Sequence, residues 1–498
     1  MTHERDPSEP AGRSALADEF LVEACLHYGV KPGTDKWDRH YNDSPARWAR
    51  AARILAQHPE IATHNLFTAV VSGNLEEVRR RLAAHPAAAT EKGGPAQWEP
   101  LFYVCYNRLP TQAVRENSVE IARAIIDAGA NPDAALPGDL SLFPPLTGAI
   151  GGGEMGQPPH VQAFELAELL IERGADPYNP QALYNTSLGC NDTVWPDFLY
   201  ERSARRHETS KWTASSPHWP QTGILDWLLT QAVTGNSLIR ARWILERGAN
   251  PSTPHFYSKR NLHTEALLNG FLEMAALLVE HGAQPETLQA YEAFQVACLR
   301  GDRAAVKTLL DAHPEYLSVP APLFKAAEQN RVEVARMLLD LGMSPDVTEQ
   351  NNTRALHRAA ASDAVDVGKL LIERGAEIDP VETYHNGVPL GWSIYAGNGA
   401  LAETLASVSR HTRVLTHMGH LRRLRELFEE NSSLALEKID GASLFFFLPD
   451  DEARAIEVAE LLIAYGADHH ARNAEGTTPA EQAEKLGFKV LAERLARE

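Results

Sequence analysis

Residues 353–379 read TRALHRAAASDAVDVGKLLIERGAEID, and much of the chain consists of variants of this stretch. A short Ala-rich segment comes first. A second segment then carries Val365, Val367, Leu370 and Leu371 at the spacing of one helical face. Gly375 follows, and glycine readily adopts the left-handed conformation that ends a helix. The stretch predicts two short helices, and neither helix can bury its apolar stripe without a similar pair on each side.

The neighbouring stretches repeat this pattern in register. Leu323, Leu356 and Leu390 hold the same position in PLFKAAEQNR, RALHRAAASD and PLGWSIYAGN, at spacings of 33 and 34 residues. Gly342 and Gly375 end two successive second segments and are 33 residues apart. A nearly constant period of this length indicates an array in which each helix pair stacks on the next.

The repeat resembles the ankyrin repeat, because its first helix is similar to TPLHxAA and its ending to LLxxGAxxN. His357 and the Gly-Ala pairs at 174–175 and 375–376 carry this likeness, whereas the Thr-Pro pair is mostly missing and survives near the end at 478–479. The stretches WEPLFYVCYNR and QALYNTSLGCNDT also resemble a group of bacterial ankyrin-repeat proteins. The resemblance implies an all-α fold, an ankyrin-repeat solenoid of about 12 helix-turn-helix units with helical caps at both ends. It also implies a concave face of first helices that binds other proteins.

The pattern divides the chain into six predicted parts. These are a disordered tail at 1–13, an N-terminal helical cap at 14–64, a first block of repeats at 65–203, an insertion at 204–222, a second block at 223–476 and a C-terminal helical cap at 477–498. In the fourth unit, from residue 181, the second helix is degenerate in sequence. The insertion at 204–222 follows it, and we expect any break in the array to fall there.

Composition restricts the kinds of partner. The chain has 66 acidic and 47 basic residues, a net charge of −19, which argues against nucleic acid or an anionic membrane as the partner. No stretch has the ~18 apolar residues of a membrane span, and the polar N-terminus has no apolar leader, so we predict a cytoplasmic protein. No disulfide framework or zinc site is expected, because no CxxC pair occurs among the four cysteines, Cys25, Cys105, Cys190 and Cys298.

Two motifs match catalytic signatures only in form. Residues 151–156, GGGEMG, fit G-x-G-x-x-G, but a dinucleotide site needs a strand before the loop and a helix after it. Here a first-helix pattern precedes the glycines and Gln157-Pro158-Pro159 follows them, so we predict a long, flexible loop between helices. His207-Glu208 begins an HExxH-like run, but Lys211 stands where the second zinc-binding histidine is required. The sequence therefore predicts no cofactor and no metal.

Aromatic and polar side chains are concentrated in three successive units and the insertion. Tyr and Trp offer a large contact area with a polar tip, which suits a binding surface, although aromatic residues at helical spacing usually fill the core. The predicted binding residues are Trp98, Tyr103, Tyr106, Asn107, Arg108, Tyr184, Asn185, Asn191, Asp192, Trp195, Trp212 and Trp219.

Two functions follow as alternatives. The first is a binding scaffold that recognises a protein or peptide on its concave face, with Tyr and Trp as anchors. The second is a solenoid converted to an enzyme, performing lyase, isomerase or hydrolase type acid/base chemistry on a small polar molecule. A closed, deep pocket would favour the enzyme, and an open groove the scaffold. The candidate catalytic residues are Tyr103, Glu154, Tyr184, Asp192, His207 and His218.

Overall fold

The computed structural model describes residues 10–34, 36–38, 41–136, 143–188, 191–216, 219–397 and 399–497, with backbone only for 10–13, 216 and 219–222. The chain forms two compact units. The first comprises residues up to 266 together with 271–286, and the second comprises 267–270 together with 287 onwards. Short helices pack in pairs within both units, which confirms the fold class predicted from the sequence.

Fourteen of the described α-helices lie in the first unit or begin there. They are α1 (Pro10–Ala24), α2 (Pro45–Gln57), α3 (Leu66–Ser72), α4 (Leu75–Ala84), α5 (Pro100–Cys105), α6 (Gln112–Asp127), α7 (Pro145–Ile150), α8 (Ala163–Glu172), α9 (Pro180–Ser187), α10 (Val194–Arg205), α11 (Ile224–Thr234), α12 (Leu238–Leu245), α13 (Leu262–Leu268) and α14 (Leu272–Glu280).

Helices of the same kind pack side by side in the first unit. The first helices α3, α5, α7, α9 and α11 form one row, and the second helices α4, α6 and α8 form another. The sequence sets the helix starts, since the side chains of Asn65 and Asn74 accept from backbone amides at the beginnings of α3 and α4. In α6, Ile121, Ala122 and Ile125 are buried at helical spacing and form its packed face.

The N-terminal segment covers more than the first helix pair. After α1, which packs against α3, the chain runs along the end of α5. The backbone amide of Arg108 donates to the carbonyl of Ala24 at 2.8 Å, and that of Leu26 donates to the carbonyl of Tyr106 at 2.9 Å. The segment at 14–64, predicted as a cap, therefore lies against first helices where the sequence predicted an open face.

The segment at 204–222 packs inside the first unit. It follows α10, a regular 12-residue helix where the sequence pattern is degenerate. The side chain of Trp212 is fully buried, and its Nε1 donates to Ser203 Oγ at 2.9 Å. A short antiparallel ribbon follows, made of β1 (Ser215–Ser216) and β2 (Trp219–Gly223). The division between the compact units thus lies at 267–287, outside this segment.

The second unit contains the remaining thirteen described α-helices and a second two-stranded ribbon. They are α15 (Ala290–Arg300), α16 (Arg303–Ala312), α17 (Ala321–Glu328), α18 (Val332–Asp340), α19 (Ala355–Ala361), α20 (Val365–Glu373), α21 (Pro389–Tyr395), α22 (Gly399–Val408), α23 (Thr412–Met418), α24 (Leu421–Glu430), β3 (Lys438–Ile439), β4 (Ala442–Ser443), α25 (Glu452–Ala464), α26 (Pro479–Lys485) and α27 (Lys489–Leu495).

The stretch at 353–379 has the predicted form. It contains α19 and α20, and Gly375 follows α20 with a φ of 82°. His357 is buried in α19, where its Nδ1 accepts from the amide of Arg354 at 3.2 Å and its Nε2 donates to the carbonyl of Gly387 at 3.3 Å. This histidine joins one repeat to the turn of the next, so its role is structural.

The count of repeats also agrees with the sequence. Within the described residues, ten pairs of successive helices between α3 and α24 pack against each other, and α13 and α14 follow one another in the same order. The 3-10 helix at Leu444–Phe447 with α25 makes a twelfth unit. The helices α26 and α27 follow α25. The predicted disordered tail at 1–13 lies outside the described residues as far as residue 9, and α1 begins at Pro10. No helix in the part described is both long and apolar enough to cross a membrane.

Candidate functional site

An open cleft of about 600 Å³ lies in the first unit, and we call it the Tyr184 cleft. Three stretches of chain line it: the loop between α1 and α2, the segment between α7 and α8, and α9. Phe143, which precedes α7, completes the lining. Three of its lining residues, Glu154, Tyr184 and Asn185, were predicted as site residues from the sequence. The full lining is Tyr28, Trp37, Asn42, Phe143, Gly153, Glu154, Met155, Gln181, Tyr184 and Asn185.

The loop after α1 is held by a buried carboxylate. Asp43 accepts hydrogen bonds from the backbone amides of His27 at 2.9 Å and Tyr28 at 2.7 Å, and Arg47 Nη1 donates to it at 2.9 Å. Burial lowers the pKa of His27 to about 3, so the imidazole is neutral. These bonds fix Tyr28 in a left-handed conformation with a φ of 51°, and its ring lies 5.3 Å from that of Phe143.

The GGGEMG segment is a closed turn. Its four glycines have φ values between 60° and 82°, a range that residues with a side chain rarely adopt. Gly152 and Gln157 exchange backbone hydrogen bonds of 2.8 and 3.2 Å, and a Cβ at Gly152 would lie 2.4 Å from the carbonyl oxygen of Asn185. The turn follows helix α7 rather than a strand, so it lacks the context of a dinucleotide loop. The sequence predicted a long loop between helices, and the connection at 151–162 between α7 and α8 begins with this tight turn, with Glu154 near its tip.

Asn185 connects the walls of the cleft. Its side chain is buried, and its Nδ2 donates to the carbonyl of Gly151 at 2.8 Å and to the hydroxyl of Tyr28 at 3.3 Å. Its Oδ1 accepts from Gln181 Nε2 at 2.8 Å, and its backbone carbonyl accepts from the amide of Gly153 at 3.1 Å. One side chain therefore holds the N-terminal loop, the glycine turn and α9 in a fixed arrangement.

Tyr184 and Glu154 form a hydrogen-bonded pair at the edge of the cleft. The Tyr184 hydroxyl donates to Glu154 Oε1 at 2.7 Å. Burial, reinforced by this bond to a carboxylate, raises the pKa of Tyr184 to about 12. The Tyr184 ring also lies 5.6 Å from that of Trp227. The phenol thus stays protonated at neutral pH and acts as a hydrogen-bond donor.

The cleft combines aromatic rings with hydrogen-bond acceptors. The rings come from Tyr28, Trp37, Phe143 and Tyr184, and the one carboxylate among the described lining residues is that of Glu154. Trp37 is 66% exposed and Glu154 is exposed, so the cleft opens directly to solvent. This arrangement suits binding of a group with a flat or cationic face, and it leaves any bound group in contact with water.

The predicted residues at 98–108 are all buried, which gives them a packing role: Trp98, Tyr103, Tyr106, Asn107 and Arg108. The Tyr103 hydroxyl donates to the carbonyl of Gly93 at 2.9 Å, and the Tyr106 hydroxyl donates to that of Pro144 at 3.2 Å. The Trp98 ring lies 5.4 Å from that of Tyr103 and 5.3 Å from that of Tyr106. These polar tips are satisfied by backbone, and the structure places none of them in the Tyr184 cleft.

Arg108 and Asn107 tie neighbouring repeats together. Asn107 Nδ2 donates to the carbonyl of Val71 at 2.8 Å. Arg108 donates to the carbonyls of Pro158 at 2.8 Å and Gly148 at 2.6 Å, and burial lowers its pKa to about 10. The guanidinium remains charged at neutral pH because carbonyl oxygens surround it.

The other predicted residues are spread along the first unit. Asn191 Oδ1 accepts from Ser237 Oγ at 2.5 Å, Asp192 Oδ1 accepts from the amide at the start of α10 at 3.0 Å, and the Trp195 ring stacks on that of Phe164 at 4.3 Å. Trp212 is buried, as described above.

The two candidate histidines do not extend the cleft. His207 is exposed after the end of α10. His218 lies outside the described residues, as does the side chain of Trp219, whose backbone belongs to β2. Among the residues that the structure describes, no group of three or more His, Cys, Asp and Glu side chains is placed to hold a metal ion.

Several lining residues were not predicted. Tyr28, Trp37 and Asn42 belong to the segment interpreted as a cap, and Tyr28 meets Asn185 across 157 positions of sequence. No spacing rule connects residues so far apart. The sequence did offer one sign of these residues: the connection between α1 and α2 contains aromatic residues such as Tyr28 and Trp37, although a solvent-exposed loop is usually polar.

Comparison with known proteins identifies part of the second unit. Residues 294–382 match the family described as ankyrin repeats, in three copies. This range contains the stretch at 353–379, and the match confirms the ankyrin resemblance drawn from the sequence.

Similarity to individual proteins covers a minor part of each. The potassium channel AKT2/3 of Arabidopsis thaliana is 26% identical over 176 residues, 33% of this chain and 21% of that protein. The putative ankyrin repeat protein FPV014 of fowlpox virus (strain NVSL) is 28% identical over 120 residues, 24% of this chain and 27% of that protein. The human transient receptor potential cation channel subfamily A member 1 is 27% identical over 166 residues, 30% of this chain and 15% of that protein. The chain thus matches less than a third of the length of each relative.

Proposed function

Because residues 294–382 match the ankyrin-repeat family, we propose that this chain is a binding scaffold for a protein or peptide and that part of the partner enters the Tyr184 cleft. The observation that carries the proposal is the fixed arrangement of the cleft. Asn185 joins its walls with three side-chain hydrogen bonds of 2.8 to 3.3 Å before any partner arrives. A preformed site lowers the ordering cost of binding.

The side chains at the opening supply contact area. Trp37 and Met155 are 66% and 46% exposed, and the half-buried Tyr184 lies between the turn and α9. Aromatic residues and methionine are enriched at the centres of protein interfaces. The aromatic rings bury much surface at a modest loss of side-chain freedom, and the flexible methionine side chain adapts its shape to the partner. The cleft therefore offers anchor positions for a partner.

The proposal also includes a cytoplasmic location and a bacterial type of repeat array. A net charge of −19 disfavours nucleic acid and anionic membrane as partners. The thiols of Cys25, Cys105 and Cys298 are free and buried, which is consistent with a cytoplasmic protein. The likeness of WEPLFYVCYNR and QALYNTSLGCNDT to bacterial ankyrin-repeat proteins supports a bacterial type of array.

Selection from a random peptide library displayed on phage tests this proposal on the full chain. Selected peptides should bind about 5- to 30-fold more weakly to the Tyr184→Ala and Met155→Ala variants, since each removes an anchor worth ~1–2 kcal/mol. Met155 is exposed, so its replacement leaves the packing of the first unit unchanged.

The matched control is Tyr395→Ala, which removes a tyrosine that is 96% exposed in the second unit. Peptide binding should survive this change. If every selected peptide bound the two cleft variants as tightly as the unchanged chain, the cleft would have no part in recognition.

The pair of Tyr184 and Glu154 favours a second function, acid/base chemistry on a small polar molecule. Its donor and acceptor lie 2.7 Å apart, within the reach that proton transfer requires. A thermal-shift screen of small polar molecules distinguishes the two functions. A compound that stabilises the unchanged chain but not Tyr184→Phe supports the enzyme, whereas peptide selection without such a compound supports the scaffold.

A further inference from the structure

The charge pattern of the Tyr184 cleft is one-sided. Among the described residues that line it, one is acidic, Glu154, and none is Lys, Arg or His. We propose that the cleft recognises an arginine side chain of the peptide partner, an inference that rests on the function proposed above. The guanidinium stacks on the aromatic wall and donates to Glu154.

Glu154 has acceptor capacity available. Its Oε1 accepts from the Tyr184 hydroxyl at 2.7 Å, and a neutral donor leaves the negative charge of the carboxylate uncompensated. Among the described residues, no Lys or Arg side chain forms an ion pair with it. A cation that enters the cleft therefore meets an exposed carboxylate already held in place by Tyr184.

The hydrogen-bond acceptors and aromatic rings of the cleft match the planar guanidinium of arginine better than the compact ammonium of lysine. Gln181 Nε2 donates to Asn185, which leaves Gln181 Oε1 as a second acceptor in the lining. A guanidinium presents five donors in one plane and stacks on aromatic faces, whereas an ammonium is compact and strongly hydrated. The rings of Tyr28 and Phe143, 5.3 Å apart, provide an apolar wall for such stacking.

A buried cation close to Tyr28 does not oppose the assignment. Arg108 is close enough to Tyr28 to lower the pKa of that phenol, although burial raises it overall. The carbonyl oxygens of Cys105, Gly148 and Pro158 accept from the Arg108 guanidinium and offset its charge. Over longer distances the net charge of −19 attracts a cationic peptide, more strongly at low salt.

Calorimetric titration of selected peptides with the full chain tests the proposal. Replacing the peptide's arginine with citrulline, its neutral isostere, should weaken binding about 10- to 100-fold, and replacing it with lysine should also weaken binding. Glu154→Gln should weaken the arginine peptide to the same degree. The Glu154→Gln variant should bind the citrulline peptide and the arginine peptide with equal affinity, because the two changes remove the same interaction.

Glu116→Gln is the matched control. Glu116 is exposed on α6 and accepts from the neutral side chain of Gln112, much as Glu154 accepts from Tyr184. Its replacement lowers the net negative charge equally and should leave peptide affinity within about twofold, since distant surface charges contribute little.

The outcomes separate this inference from the proposed function. Peptides that lack arginine yet depend on Tyr184 would overturn the arginine assignment and leave the scaffold standing. Equal affinity of the citrulline peptide would also overturn it. If N-acetylarginine amide alone bound as tightly as the peptide, the ligand would be a free guanidinium compound, which contradicts a peptide source. If no peptide depended on the cleft, the proposed function itself would fail.

Discussion

Replacing Asn185 with alanine removes the side chain that joins the walls of the Tyr184 cleft. The carbonyl of Gly151 loses its donor in a buried position, which costs about 1–3 kcal/mol, and the bonds to Tyr28 and Gln181 contribute about 0.5–1.5 kcal/mol each. Tyr28 and Gln181 are half-buried, so water compensates part of their loss. We expect the free energy of local opening of the glycine turn to fall by about 2–4 kcal/mol, which raises the equilibrium constant for opening roughly 30- to 700-fold.

Hydrogen exchange measured by mass spectrometry on residues 151–157 is the assay, because the amides of Gly152 and Gln157 are bonded to each other's carbonyls. Asn117→Ala is the control: it removes a side-chain bond of 2.9 Å to the carbonyl of Gly73 and should not alter exchange in the turn. Unchanged exchange at 151–157 in the Asn185→Ala variant would refute the role given to this side chain.

Three further predictions concern the packing around the cleft. Tyr103→Ala should destabilise the first unit by about 3–5 kcal/mol in urea denaturation, since the ring is fully buried. Tyr103→Phe should destabilise it by about 1 kcal/mol, since only the hydrogen bond of the hydroxyl is lost. Equal destabilisation by the two variants would contradict this. Gly148→Ala should lower the melting temperature, because a Cβ would lie 2.1 Å from the Tyr106 ring, whereas Gly235→Ala, whose Cβ would have 3.5 Å of room, should not. The folded-state pKa of His27 lies below its unfolded value, near 3 rather than 6.5, so its contribution to stability is present above pH 6.5 and is lost as pH falls towards 3. His27→Gln should flatten the decline of the unfolding free energy in that range, and an unchanged slope would count against a neutral buried imidazole.

The fold was predictable because its signal repeats. The positions of Leu323, Leu356 and Leu390 recur with nearly constant spacing, and each is buried in a first helix. Gly342 and Gly375 both have positive φ after a second helix. A local pattern of this kind depends on contacts within a repeat and with its neighbours, so a sequence window of about 33 residues contains most of the information.

The site was less predictable, because short first helices give no exposed face to recognise. All six residues of α5 are buried, so helical spacing cannot distinguish a binding tyrosine from a packed one. The N-terminal segment adds to this, since Leu26 bonds to the backbone at Tyr106 and covers a side expected to be open. Tyr103 and Tyr106 consequently pack, while the partially exposed Tyr184 lines a cleft.

The Tyr184 cleft itself is formed by contacts between distant parts of the chain. Glu154 and Tyr184 are 30 positions apart and could be proposed together, because adjacent repeats bring equivalent positions close. Tyr28 lies outside the repeat pattern, and only the folded chain places it beside Asn185. Sequence periodicity thus located one wall of the cleft and not the other.

Site-specific photo-crosslinking tests the central claim, that a partner peptide enters the Tyr184 cleft. A photoreactive amino acid in place of Met155, at the exposed turn, is compared with the same group in place of Tyr395, exposed in the second unit. A selected peptide should crosslink at position 155, and an excess of the unlabelled peptide should suppress the product. Crosslinking at position 395 with none at 155 would contradict the account.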